Sequence, residues 1–121
     1  MIVSRSPRGR YQADLIDMRS YSEQNDGYAW ILNSIDTFTK FMMVDVLKTK
    51  RAEETSRAFA KLFGQFGSPR LLHTDNGTEF KNETVAGLCE RYGTRQIHGR
   101  ARHPQSQGQI ERANQTLKRK L

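Results

Sequence analysis

The sequence predicts one mixed α/β domain with the element order β-β-β-α-β-α-β-α, on three observations. Residues 11–47 alternate apolar and polar positions with period two, residues 52–66 switch to the helical period, and short strand-like runs then separate further helical stretches. The length of 121 residues suits one domain with a real core and is too short for two of ordinary size.

The elements follow in order. Residues 1–9 are rich in Ser, Arg, Pro and Gly and read as an entry arm. Residues 11–18 read as a strand with Ala13, Leu15 and Asp17 on one face and Gln12, Asp14 and Ile16 on the other, so the two acids point to opposite sides. Asp17 belongs near the strand's end in solvent, whereas Asp14 is mid-strand, where a carboxylate is costly without a partner. A polar turn over residues 20–27 leads to a second strand at 28–35. The segment Asp36-Thr37-Phe38-Thr39 makes a tight connection to a third at 40–47, giving an antiparallel meander.

Thr55, Phe59, Leu62, Phe63 and Phe66 then fall at helical spacing, with Glu53 and Glu54 in the first turn, where the helix dipole favours acids. Gly67-Ser68-Pro69 ends that helix. Residues 70–74 form a short strand running directly into Asp75. Asn82 caps a second helix that extends to Tyr92, with Val85, Leu88, Cys89 and Tyr92 as its apolar stripe and Gly93 as its stop. Residues 94–98 form a last strand, and residues 99–108 a polar loop with a glycine at each end, expected to be mobile. From Gln109 onward, Ile110, Ala113, Leu117 and Leu121 share one helical face, while Gln107, Glu111, Asn114, Gln115 and Lys118 share another.

Charge is strongly polarised. Residues 1–90 hold 12 Lys and Arg against 12 Asp and Glu, whereas residues 91–121 hold eight basic residues against Glu111 alone, so the last quarter carries the whole +7 excess. Such a distribution points to a polyanion such as nucleic acid. Cys89 is the only cysteine, which excludes an intrachain disulfide and a cysteine-rich zinc module and fits a reducing compartment. His73, His98 and His103 are too scattered for a zinc set. With no leader and no apolar run of membrane-spanning length, the expectation is a soluble intracellular protein without a membrane partner.

Three acids could meet at one metal site: Asp14, Asp75 at a strand's carboxyl end, and Glu111, with 35 residues between the last two. Hard divalent cations take carboxylate oxygens, and a pair of them can clamp the attacking and leaving oxygens of a phosphodiester.

The motifs carrying these acids resemble a known family. Tyr11-Gln12-Ala13-Asp14, His73-Thr74-Asp75-Asn76-Gly77-Thr78-Glu79-Phe80, and His103-Pro104-Gln105-Ser106-Gln107-Gly108-Gln109-Ile110-Glu111 followed by Arg112-Ala113-Asn114 are similar to the three blocks of the integrase core of retroviruses and long-terminal-repeat retrotransposons. The run Ala101 through Arg112 looks closest to Gypsy-type elements and to host genes derived from them. Tyr11 stands where the family usually has Trp.

The resemblance implies a ribonuclease H-like fold: a five-stranded mixed sheet, three antiparallel strands then two parallel, flanked by helices. It implies that residues 10–121 are the catalytic core, cut before its final helices and without the zinc-binding amino-terminal and basic carboxy-terminal modules. Asp14, Asp75 and Glu111 would be the catalytic and metal-binding triad for two Mg²⁺ or Mn²⁺ ions, with Arg102, Gln107, Arg112, Asn114 and Lys118 contacting DNA. The implied activity is 3′-end processing and strand transfer on element ends and target DNA, by a homodimer paired through the core, in the nucleus. Two alternatives stand beside it: an integrase-derived host module that binds DNA and assembles without catalysis, and a ribonuclease H-type nuclease on RNA–DNA hybrids.

Overall fold

The computed structural model describes residues 8–99. The meander forms as the alternation predicts. Strand β1 (Arg10–Asp17) pairs antiparallel with β2 (Trp30–Asp36), which pairs antiparallel with β3 (Met42–Leu47). Helix α1 (Ala52–Phe66) then crosses to β4 (Leu71–Thr74), which lies parallel to β1 on its free side, and α2 (Glu83–Arg91) leads to β5 (Arg95–His98), parallel to β4. The sheet order is β3-β2-β1-β4-β5, so β1 is central. The last helix read from the sequence lies outside the described residues.

Two strands start later than their sequence pattern suggests. Tyr28 stays outside β2 because its N–H closes a turn on the Asn25 carbonyl at 3.0 Å. Lys40 stays outside β3 because it takes a positive φ of 67° in the preceding turn. That turn is organised by Asp36, whose carboxylate accepts from the N–H groups of Phe38 at 2.9 Å, Thr39 at 3.3 Å and, from across the sheet, Arg8 at 2.8 Å. A short 3₁₀ turn (Arg19–Tyr21) interrupts the polar connection after β1.

Both helices cover one sheet face. Tyr11 and Ala13 of β1, Leu32 of β2, Met43 and Leu47 of β3 and Leu72 of β4 meet Phe59, Leu62 and Phe63 of α1 and Val85, Leu88 and Cys89 of α2 in one buried cluster. The aromatic stripe is therefore core, with the Phe59 ring 5.8 Å from Phe63 and 6.0 Å from Phe80. Tyr11 is buried in the same cluster and donates its hydroxyl to the Gly67 carbonyl at 2.9 Å, tying the centre of the sheet to the end of α1. Gly67 takes φ +101°, a conformation that favours glycine and that stops the helix.

The other face carries Gln12, Asp14 and Ile16. There Ile16, Met18 and Ile31 make a small second cluster, and Val44 and Val46 of the outer strand β3 are exposed.

Truncating Phe59, which is fully buried, should cost about 3–5 kcal/mol through lost burial and a residual cavity, read as a lowered midpoint in denaturant unfolding of Phe59→Ala. Burial pushes the Cys89 thiol up to about 11. The stability this contributes is fully present below the ordinary thiol value of 9.0 and is lost as pH rises through about 11. Iodoacetamide should label Cys89 slowly at neutral pH in the folded protein and quickly once denaturant is added.

Candidate active site

The central pairing of β1 with β4 sets the geometry. Gln12 is the cross-strand partner of His73, and the strands run in the same direction. Counting two residues along each from that pair brings Asp14 and Asp75 to the same level on neighbouring strands, which lie about 4.8 Å apart. Side chains repeat with period two, so continuing β4's alternation to Asp75, just past its last residue, gives it the same face as Gln12, His73 and Asp14. That is the face turned away from α1 and α2. Asp14 is partly buried and lies opposite Asn33, which is fully buried, whereas Asp75 is exposed.

Asp17 ends up as its position in the alternation suggests, exposed at the strand's end and held by Arg19 at 2.8 Å. The hydrogen bonds from the Arg19 guanidinium and backbone N–H hold its carboxyl down at about 2. It is thus engaged elsewhere and does not join Asp14.

The segment after β4 is held at several points. Asp75 Oδ1 accepts from the Gly77 N–H at 2.8 Å, folding the chain back beneath the carboxylate. The Gly77 carbonyl accepts from Phe80 at 3.0 Å and Lys81 at 2.8 Å, and the buried Phe80 ring anchors the turn in the core. Asn82 closes it: its Oδ1 accepts from Val85 N–H at 2.9 Å as the cap of α2, while its Nδ2 donates to the carbonyls of Thr78 at 2.8 Å and Glu79 at 3.1 Å. The Glu79 carboxyl lies over Gly77, where an added Cβ would sit 2.5 Å from Oε1. The sequence motif alone gives no hint of this contact.

Two of the histidines support Asp75 from the strand. His73 Nε2 meets the Gly99 carbonyl at 2.9 Å, so that nitrogen carries the proton and donates. Burial holds the His73 imidazole below its ordinary pKa; Arg10 and His98 add to this and the Gly99 bond opposes it. The Thr74 hydroxyl donates to the Asp75 carbonyl at 3.0 Å, which leaves its oxygen to accept from His98 Nδ1 at 3.1 Å. Gly99, at φ +125°, donates to the Thr74 carbonyl at 3.0 Å, so the start of the polar loop is pinned to the strand that delivers Asp75.

Beside these groups, Arg10 Nε, both amide atoms of Gln12, which is 2% exposed, and His73 Nδ1 are buried with no hydrogen-bond partner among the described residues.

Glu111, Arg102, Gln107, Arg112, Asn114 and Lys118 lie outside the described residues, as does the polar loop beyond Gly99. Among the described residues no group of three His, Cys, Asp or Glu side chains could hold a metal ion. Two carboxylates at one level still offer the oxygen donors that a hard divalent cation takes.

The family model of the integrase core domain matches residues 4–104. The chain belongs to that family. Among the relatives of this integrase core, human KRAB-A domain-containing protein 2 is 34% identical over 108 residues, covering 88% of the chain and 22% of that protein. The Pol polyprotein of equine infectious anemia virus (strain Wyoming) is 39% identical over 94 residues, covering 75% of the chain and 8% of the polyprotein. The chain thus spans less than a quarter of either. The crystal structure of the catalytic core domain of BIV integrase superposes with a TM-score of 0.75 at 23% identity, over 89% of this chain and 65% of that one. That likeness agrees with the observed sheet order and makes the fold ribonuclease H-like.

Asn82→Ala removes the cap of α2 and two of the bonds that hold the turn after Asp75, and should cost about 1–2 kcal/mol in thermal unfolding. Faster amide exchange should appear across residues 77–82, and Asn82→Asp, which keeps the capping acceptor, should recover part of the loss.

Proposed function

We propose that this integrase core cuts and joins DNA phosphodiesters with Asp14, Asp75 and Glu111. The reading is supported above all by the parallel register of Gln12 with His73, which stand two residues before Asp14 and Asp75. Residues 10–121 would form the core and residues 1–9 its entry arm. The three carboxylates would hold Mg²⁺ or Mn²⁺, with two ions expected, and such ions would activate the attacking oxygen and stabilise the leaving one. The chain's own part is positional. Asp75 is fixed by its turn and by the Thr74–His98 pair, and the partly buried setting of Asp14 strengthens electrostatics there. Arg102, Gln107, Arg112, Asn114 and Lys118 would hold the DNA backbone.

Water as the nucleophile gives 3′-end processing, and a DNA 3′-hydroxyl gives strand transfer. Neither needs a covalent protein intermediate. The substrates would be element ends and target DNA in the nucleus, and the working unit a homodimer paired through the core.

A second reading, a host module derived from an integrase that binds DNA without cutting it, is favoured by the match to a human protein named for a KRAB-A domain instead of a polyprotein. Nicking and strand-transfer assays on a short duplex separate the two. The chain should act only with Mg²⁺ or Mn²⁺, and Asp14→Asn, Asp75→Asn and Glu111→Gln should each lower the rate by at least about a hundredfold. Inactivity of the unaltered chain with either metal would decide for the binding module.

A further inference from the structure

Cations gather at the same end of the sheet as Asp75. Because β2 and β3 alternate in direction, the start of β2 and the end of β3 lie at the carboxyl end of β1: Asp17 pairs with Trp30, and Trp30 with Leu47. The chain leaves β3 through Lys48-Thr49-Lys50-Arg51, the densest basic run among the described residues.

These side chains are held on aromatic rings. Lys50 Nζ lies 5.0 Å from the centroid of the Trp30 ring, Arg19 lies 5.1 Å from the same ring, and Lys48 Nζ lies 5.3 Å from that of Tyr28. The loop beneath them is rigid. The Glu54 carboxylate accepts from Lys48 N–H at 2.6 Å, Thr49 N–H at 3.1 Å and the Thr49 hydroxyl at 2.8 Å. Glu54 is thereby occupied with the backbone, and Asp17 with Arg19. Among the described residues neither Lys48 nor Lys50 forms an ion pair with a carboxylate.

Cations placed by rings and left without carboxylate partners keep their charge for an outside anion, at little ordering cost when it arrives. We propose that Lys48 and Lys50, held on Tyr28 and Trp30, form a contact surface for the phosphates of duplex flanking the strand at Asp14 and Asp75. The proposal rests on the DNA-cutting reading for that flank. Trp30 pairs with Asp17 and packs against the core beneath the helices, so the patch lies on the helix side of the sheet, and the flank would reach it around the sheet's end.

Trp30 is the chain's only tryptophan, so its fluorescence reports on the patch directly. The whole chain is titrated with a duplex of about 20 base pairs in EDTA, at several salt concentrations, so that cleavage plays no part. Trp30 emission should change on saturation. Lys48→Gln with Lys50→Gln should weaken binding roughly five- to tenfold at about 0.15 M salt, lower the log–log salt slope by about 2, and abolish the emission change. Each single substitution should give about half the slope change, which keeps the test open should the double variant fold poorly. Lys40→Gln with Arg70→Gln, removing equal charge at the opposite end of the sheet, should leave the emission change intact. An unchanged slope in the Lys48 and Lys50 variants, unmoved Trp30 emission at saturation, or a response to anionic lipid vesicles and none to DNA would overturn the proposal. Failure of the unaltered chain to nick DNA with metal would instead strike the cutting reading, and leaves this binding measurement readable by itself.

Discussion

The parallel hydrogen bonding of β1 with β4 is the constraint on which the rest depends. It is short, three residue pairs from Arg10–Leu71 to Gln12–His73, yet it joins elements some sixty residues apart and sets the level from which β1 continues to Asp14 and β4 to Asp75. A slip of one residue would turn Asp14 toward the helices and leave its partner on the far side. The buried aromatic cluster guards against that slip, since Tyr11 and Leu72 are themselves register partners and both are packed beneath α1. Core packing on one face thus sets carboxylate geometry on the other.

The two faces are built on different terms. Under the helices, apolar side chains fill the space and Tyr11 finds an acceptor in Gly67. On the other face, Gln12, Arg10 and His73 bury polar atoms that have no hydrogen-bond partner among the described residues, next to a carboxylate at mid-strand. Stability is concentrated where chemistry is absent. The turn after Asp75 bridges the two, with Phe80 rooted in the core and Asn82 bonded both to α2 and back to residues 78 and 79.

Much of this was legible in the residues. The switch from period two to period 3.6 gave α1 its bounds, because Glu53, Phe59, Phe63 and Gly67 each agree locally with a helix that starts, buries one face and stops there. Asn82 as a cap and Asp17 as a solvated end also follow from local rules. What could not be read is nonlocal. The start of β2 depends on a turn bond from Tyr28, and the hold of His73 on Gly99 joins residues 26 apart. The aromatic seats of Lys48 and Lys50 likewise require the sheet to be assembled first, and the sequence reading assigned the DNA contacts elsewhere. Glu111 lies outside the described residues, so the third acid of the motif still rests on the pattern that suggested it.

The direction of the chain through the sheet has one more consequence. Arg8 enters at the amino end of the central strand, while Gly99 leaves β5 at the opposite end, one strand away from Asp75 and bonded to its neighbour Thr74. Eight residues of β1 separate the two levels, roughly 26 Å at about 3.3 Å each. Among the described residues, the chain thus enters at the end of the sheet away from Asp75 and leaves β5 at the end where Asp75 lies.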